Sequence, residues 1–145
     1  MGPTLILALT LGAPALKDAK PAPDLIGLWE LEQSFSNGKD ATKRRDAPLR
    51  YEFRKDGTYV IYEGDKEIVG PRDFQIDPKG NPATLDSNTT KSLGGEPAFS
   101  LAIYKIEGDQ LTICKVMPGK ARPTVFQTSP ESPNYMMIFR RVKKD

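Results

Sequence analysis

From Leu25 onward apolar and polar side chains alternate with a period of two, and no window of about 12 residues carries the 3.6 period of a helix. The clearest case is "LRYEFRKDGTYVIYEGDKEIV". Leu49, Tyr51 and Phe53 share one face and Arg50, Glu52 and Arg54 the other, as a half-buried strand requires. Lys55-Asp56-Gly57 turns the chain into Thr58–Glu63, which is rich in β-branched and aromatic residues. A second turn, Glu63-Gly64-Asp65-Lys66, leads to a strand from Glu67 that is expected to bend at Gly70-Pro71 and resume over Asp73–Asp77. A short strand follows around Ala83–Asp86, then a polar loop from Ser87 to Glu96. "PAFSLAIYKIEGDQLTICKV" repeats the hairpin pattern, with Glu107-Gly108-Asp109 at the turn. Thr124–Phe126 reads as another short strand, and Tyr135–Val142 as the last.

These add up to about eight strands joined mostly to their neighbours by tight turns, so the predicted fold is all-β, an up-and-down antiparallel β-barrel. A meander of this kind must close or leave an unpaired edge. Closure at about eight strands leaves an interior that side chains fill or one small ligand occupies. Closure also makes the first and last strands neighbours. Trp29, in "DLIGLWELEQS", is then placed to meet Arg140 or Arg141, with Gly27 allowing the close backbone approach.

Composition narrows the function. The chain has 145 residues, enough for one domain, and Lys plus Arg number 21 against 19 for Asp plus Glu. That balance gives no strong field for nucleic acid or an acidic membrane, so neither is an expected partner. There is no histidine, which removes Ser-His and Cys-His nucleophiles, imidazole general bases and most transition-metal catalysis. Cys114 is the sole cysteine, so no intrachain disulfide exists; within "QLTICKV" it reads as a small apolar filler. An intermolecular bridge through it stays open. At the start, the apolar run Leu5–Leu11 followed by Ala13-Pro14-Ala15 reads as an export signal over residues 1–15, too short to span a bilayer. Residues 16–24 then form a linker and residues 25–145 the barrel domain, with a secreted or periplasmic location expected.

Gly27-Leu28-Trp29 with an arginine near the C-terminus resembles the lipocalin-type barrel signature. "FRKDGTYVI", "FQIDPKGNPATLD" and above all "IYKIEGDQLTICKVMPGKARPTVF" extend the likeness to a family of small, mostly secreted lipocalin-like proteins of uncharacterised function, abundant in planctomycete-type bacteria. The resemblance covers roughly Leu25 to Lys143. It implies that Arg141 rather than Arg140 pairs with Trp29, with Met137 and Phe139 on the same face, and it supplies no catalytic residue. The charged stretch "NGKDATKRRDAP", Asn37–Pro48, departs from the family pattern.

Little in the chain suggests reaction chemistry. Glu30, Glu32 and Glu52 alternate with apolar neighbours and are expected to point outward rather than pair as acid and base. Lys43-Arg44-Arg45 and the tail Arg140–Lys144 read as a solvated loop and strand end, and Gly94-Gly95 lacks the lysine and helix of a phosphate loop. Asn88-Thr89-Thr90 matches a glycosylation sequon. Arg122, in "MPGKARPTVF", reads either as lying across the barrel mouth to meet a ligand's carboxylate or as pinning its loop to a nearby acidic side chain.

The expected function is therefore binding of a small apolar or amphipathic ligand inside the barrel, with no enzymatic activity, no cofactor and no metal. The expected lining is Tyr51, Phe53, Tyr59, Ile61, Phe74, Ile76, Leu101 and Ile103, with Arg122 added. The alternative is an extracytoplasmic protein-interaction or scaffold module with a filled barrel. A monomer is expected in either case.

Overall fold

The computed structural model describes residues 24–90 and 98–143. Strands β1 (Gly27–Ser36), β2 (Lys39–Asp40), β3 (Leu49–Phe53), β4 (Thr58–Glu63), β5 (Lys66–Asp77), β6 (Ala83–Asn88), β7 (Phe99–Glu107), β8 (Gln110–Lys115) and β9 (Tyr135–Arg141) are the elements of the fold, and no helix occurs among the described residues. Each strand from β3 to β9 is antiparallel to the next, and β1 pairs with both β3 and β9. Eight strands thus close a lipocalin-like up-and-down barrel, and β2 is an extra short strand on β1. The expected export signal and most of the linker lie outside the described residues.

Period-two alternation sets the two faces. Trp29 and Leu31 of β1, Tyr51 and Phe53 of β3, Phe74 and Ile76 of β5, Leu85 of β6, Ala102 and Tyr104 of β7, Leu111 and Ile113 of β8, and Met137 and Phe139 of β9 meet in one interior cluster. Aromatic rings tie it together: Tyr51 stands edge-on to Phe139 with centroids 4.9 Å apart, and Phe53 to Phe74 at 5.2 Å.

The barrel is plugged where β1 begins. Trp29 pairs directly with Arg141 across the closing seam, and the guanidinium carbon lies 4.1 Å from the indole centroid. Arg141 also donates to the carbonyls of Ile26, at 3.2 Å, and of Asp24, while the indole Nε1 donates to the Leu25 carbonyl at 3.0 Å. Arg140 faces the other way and holds Glu32 at 2.9 Å. Gly27 has φ of +134°, and a Cβ there would stand 3.1 Å from Arg141 Nη1. Only glycine allows both the backbone conformation and the guanidinium's approach.

The expected bend takes a particular form, one expected strand is absent and one strand is added. The bend at Gly70-Pro71 is not a break: β5 runs continuously, and register skips against β4 (Ile61 opposite Val69, Tyr59 opposite Arg72) absorb Pro71 as a bulge. Thr124–Phe126 forms no strand, because β7 and β8 each already have partners on both sides and no ladder is left to join. β2 is the element the alternation missed. Asn37 and Gly38, with φ of 53° and 75°, make a two-residue hairpin turn that folds Lys39 back against Ser36. The Asn-Gly dipeptide was its signal.

Candidate functional site

β1 lies beside β3 only over Gly27–Glu30, yet it stays with β9 as far as Ser36. A bulge at Glu32, between the Leu31 and Gln33 pairings, bends it away. The bulge also reverses the alternation, so that Ser34, opposite Met137, is buried. The connection from β2 to β3 spans the gap this opens. It is anchored by Thr42, whose Oγ1 accepts from the Ser34 amide at 3.0 Å, and by the Ala41 amide, which donates to the Ser34 carbonyl at 2.7 Å.

Between this connection and the barrel wall lies an open cleft of about 580 Å³, lined on the barrel side by Leu31, Ser34, Leu49, Tyr51, Lys115, Tyr135 and Met137. Tyr51, Lys115 and Met137 also border a pocket of only about 50 Å³ in the barrel interior, whose other walls include Phe53, Tyr59 and Ile61. The interior is thus a packed core with room for about one or two water molecules, and the usable volume sits at the open end.

The sequence-expected ligand residues fall into four groups. Tyr51 lines both the cleft and the small pocket; Phe53, Tyr59 and Ile61 line the small pocket alone; Phe74 and Ile76 are core. Leu101 and Ile103 sit on the opposite face of β7 from Ala102 and Tyr104 and do not face the interior. The reason is that "SLAIY" is apolar on both faces, so alternation alone does not choose between them. The outer face is covered by residues 116–134, which pack across it as a strap, and Ile103 and Cys114 are buried there.

Arg122 belongs to that strap and not to the mouth. It forks onto Asp86, at 2.6 Å and 3.1 Å, and donates to the Ala102 carbonyl at 2.8 Å. The pinning role is therefore the one the geometry shows. Further along, Lys105 Nζ lies 4.8 Å from the Phe126 centroid, the Gly38 amide donates to Thr128 Oγ1 at 3.0 Å, and Cys114 Sγ stands 3.9 Å from the Gln127 carbonyl. Burial raises the Cys114 pKa, with the Gln127 contact opposing it, so the thiol is held protonated and covered.

The remaining chemistry is sparse. Glu30 holds Arg50 at 2.9 Å, Glu32 holds Arg140, and Glu52 accepts from both Arg54, at 2.9 Å, and Tyr62, at 3.0 Å. All three carboxylates face outward. Among the described residues no group of three or more His, Cys, Asp or Glu side chains is placed to hold a metal, and no helix is long and apolar enough to cross a membrane.

Two groups in the cleft are electrostatically unusual. Burial pushes the Tyr51 phenol well up, with Tyr135 and Tyr59 adding to the shift and Arg45 opposing it. Its hydroxyl points at Met137 Sδ, 3.8 Å away. Lys115 is pushed the other way: loss of water around its ammonium lowers its pKa. The charged and titratable groups around the same cleft are Glu30, Glu32, Lys43, Arg45, Asp46, Tyr51 and Tyr135. Unfolding restores the ordinary lysine pKa of about 10.4, so between the depressed folded value and that point the unfolded chain binds more protons and stability rises with pH. Lys115→Met is therefore expected to raise the urea midpoint at pH 7. The gain should shrink as pH approaches about 10.4, when wild type and variant are compared by circular dichroism.

Fold and site together define the class: a closed eight-stranded antiparallel barrel with a packed interior and a side cleft at its open end. No family model, curated protein or solved structure matches the chain.

Proposed function

We propose that this protein binds a small amphipathic molecule, and that the molecule sits in the cleft between β1, β3 and the Ala41–Pro48 connection rather than deep in the barrel. One observation carries the reading. The cleft's volume of about 580 Å³ falls in the range of small-molecule sites, and its wall mixes apolar surface from Leu31, Leu49 and Met137 with the polar groups of Tyr51 and Lys115. Binding rather than catalysis is supported by the engagement of Glu30, Glu32 and Glu52 with arginines on the outer face. Membership of the planctomycete-type lipocalin-like family is part of the proposal, supported by the Gly27-Leu28-Trp29 motif and the Trp29–Arg141 stack. So is export, supported by the apolar run before Ala13-Pro14-Ala15.

Native mass spectrometry of protein purified from its own source tests the reading. A retained small molecule is expected, and Leu49→Trp, which fills the cleft, should abolish retention while leaving the circular dichroism unchanged. Bare polypeptide mass in the wild type overturns it.

The second reading, a protein-interaction module, draws on the packed interior and on two exposed apolar side chains, Met117 at 73% and Val125 at 53% exposure, both on the strap. It predicts bare polypeptide mass and binding that Leu49→Trp leaves unchanged.

A further inference from the structure

The charge of the ligand follows from one side chain. Lys115 ends β8, two residues beyond Ile113 and four beyond Leu111, both buried in the barrel interior, so alternation turns it inward. Its ladder neighbours Ala102 and Tyr135 lie on the same face. Lys115 therefore lines both the cleft and the interior pocket, with its Nζ 5.8 Å from the Tyr135 centroid.

Among the described residues this ammonium has no carboxylate within ion-pair distance, and the residue is half-buried at the cleft rather than sealed from solvent. Two of the three acids that border the cleft are already engaged, Glu30 with Arg50 and Glu32 with Arg140, and Arg45 at the rim holds Glu63 at 3.2 Å. An ammonium partly withdrawn from water with no anion beside it is held at a cost, and burial lowers the Lys115 pKa accordingly. An anion supplied by a ligand would relieve it. At the rim Lys43 and Arg45 are outnumbered by Glu30, Glu32 and Asp46, which leaves Lys115 as the cation on the barrel side for one negative charge of the ligand.

Resting on the reading of the cleft as a ligand site, we propose that its occupant is an amphipathic monocarboxylate, with the carboxylate on Lys115 Nζ and the apolar chain against Leu49, Tyr51 and Met137.

The test is isothermal titration calorimetry of the full chain with decanoate and with 1-decanol, which share an apolar chain and differ in charge. Decanoate is expected to bind the wild type at least about tenfold more tightly than decanol. Lys115→Met should weaken decanoate by about tenfold or more while leaving decanol within about twofold, and Lys115→Arg should keep decanoate close to wild type. Circular dichroism of each variant confirms that the barrel is intact. Equal affinity for the two probes, with no effect of Lys115→Met, overturns the inference about charge but leaves the cleft as a binding site. Absence of binding by either probe also overturns it, and the cleft itself is then judged by the mass of the natively purified protein.

Discussion

Trp29→Ala is expected to lower the free energy of unfolding by about 4 kcal/mol, the largest effect of any single substitution considered for this chain. Trp29 is fully buried, so truncation leaves a cavity at the plugged end that β1 and β9 are too tightly paired to close. Two further losses add to the cavity. The Leu25 carbonyl loses its indole donor, and the Arg141 guanidinium loses the ring it stacks on while remaining beside the same backbone. Domains of this size are stable by only about 5–15 kcal/mol, so the variant should unfold at a markedly lower urea concentration. Far-UV circular dichroism gives the readout, since the substitution removes the only tryptophan. A loss below about 1.5 kcal/mol would mean that the indole does not close the barrel floor.

Arg122→Ala is expected to cost about 2 kcal/mol, because it leaves the half-buried Asp86 carboxylate without its forked partner and frees the strap at its firmest attachment. The sharper signature is chemical. Cys114 lies beneath the strap at 0% exposure, so in the wild type a thiol reagent reaches it only when the strap opens. Release of the Arg122 fork should speed labelling by roughly tenfold or more at a urea concentration where the barrel stays folded. Asp86→Ala should act in the same direction but less strongly, as Arg122 keeps its contact with the Ala102 carbonyl and reaches solvent. The double variant should fall short of additivity, since each change removes the same pair. Labelling rates unchanged in Arg122→Ala would show that other contacts hold the strap.

Where one face of a strand is polar, the sequence specified its placement. Arg50, Glu52 and Arg54 against Tyr51 and Phe53 fixed β3, and the same pattern turned Glu30, Glu32 and Glu52 outward. The pairing of Trp29 with Arg141 rather than Arg140 was also legible, because a closed barrel brings the first and last strands together and resemblance chose between adjacent arginines. Where both faces are apolar the pattern is silent. β7 and β8 carry apolar residues on both sides because the strap forms a second, outer core, and a segment without secondary structure leaves no period to read. That is why alternation alone assigns Leu101 and Ile103 to the wrong side.

The cleft was hidden for a different reason. It arises where a bulge at Glu32 moves β1 by one residue of register and the hairpin at Asn37-Gly38 returns the chain across the gap, and a single inserted residue leaves no trace in hydropathy. One mark of the site was present in the sequence: Lys115 continues the row of Leu111 and Ile113, a charge in an otherwise apolar series.

β1 starts and β9 ends at the plugged floor, antiparallel and hydrogen-bonded to each other, with the Val142 amide reaching the Leu28 carbonyl at 2.8 Å. Asp24 and Lys143 therefore leave the domain side by side, on the side away from the cleft. A neighbouring module, a surface or an affinity handle joined at either end leaves the mouth facing free solvent, and a short peptide joining the two ends would allow the chain to be reopened at another turn without disturbing the seam.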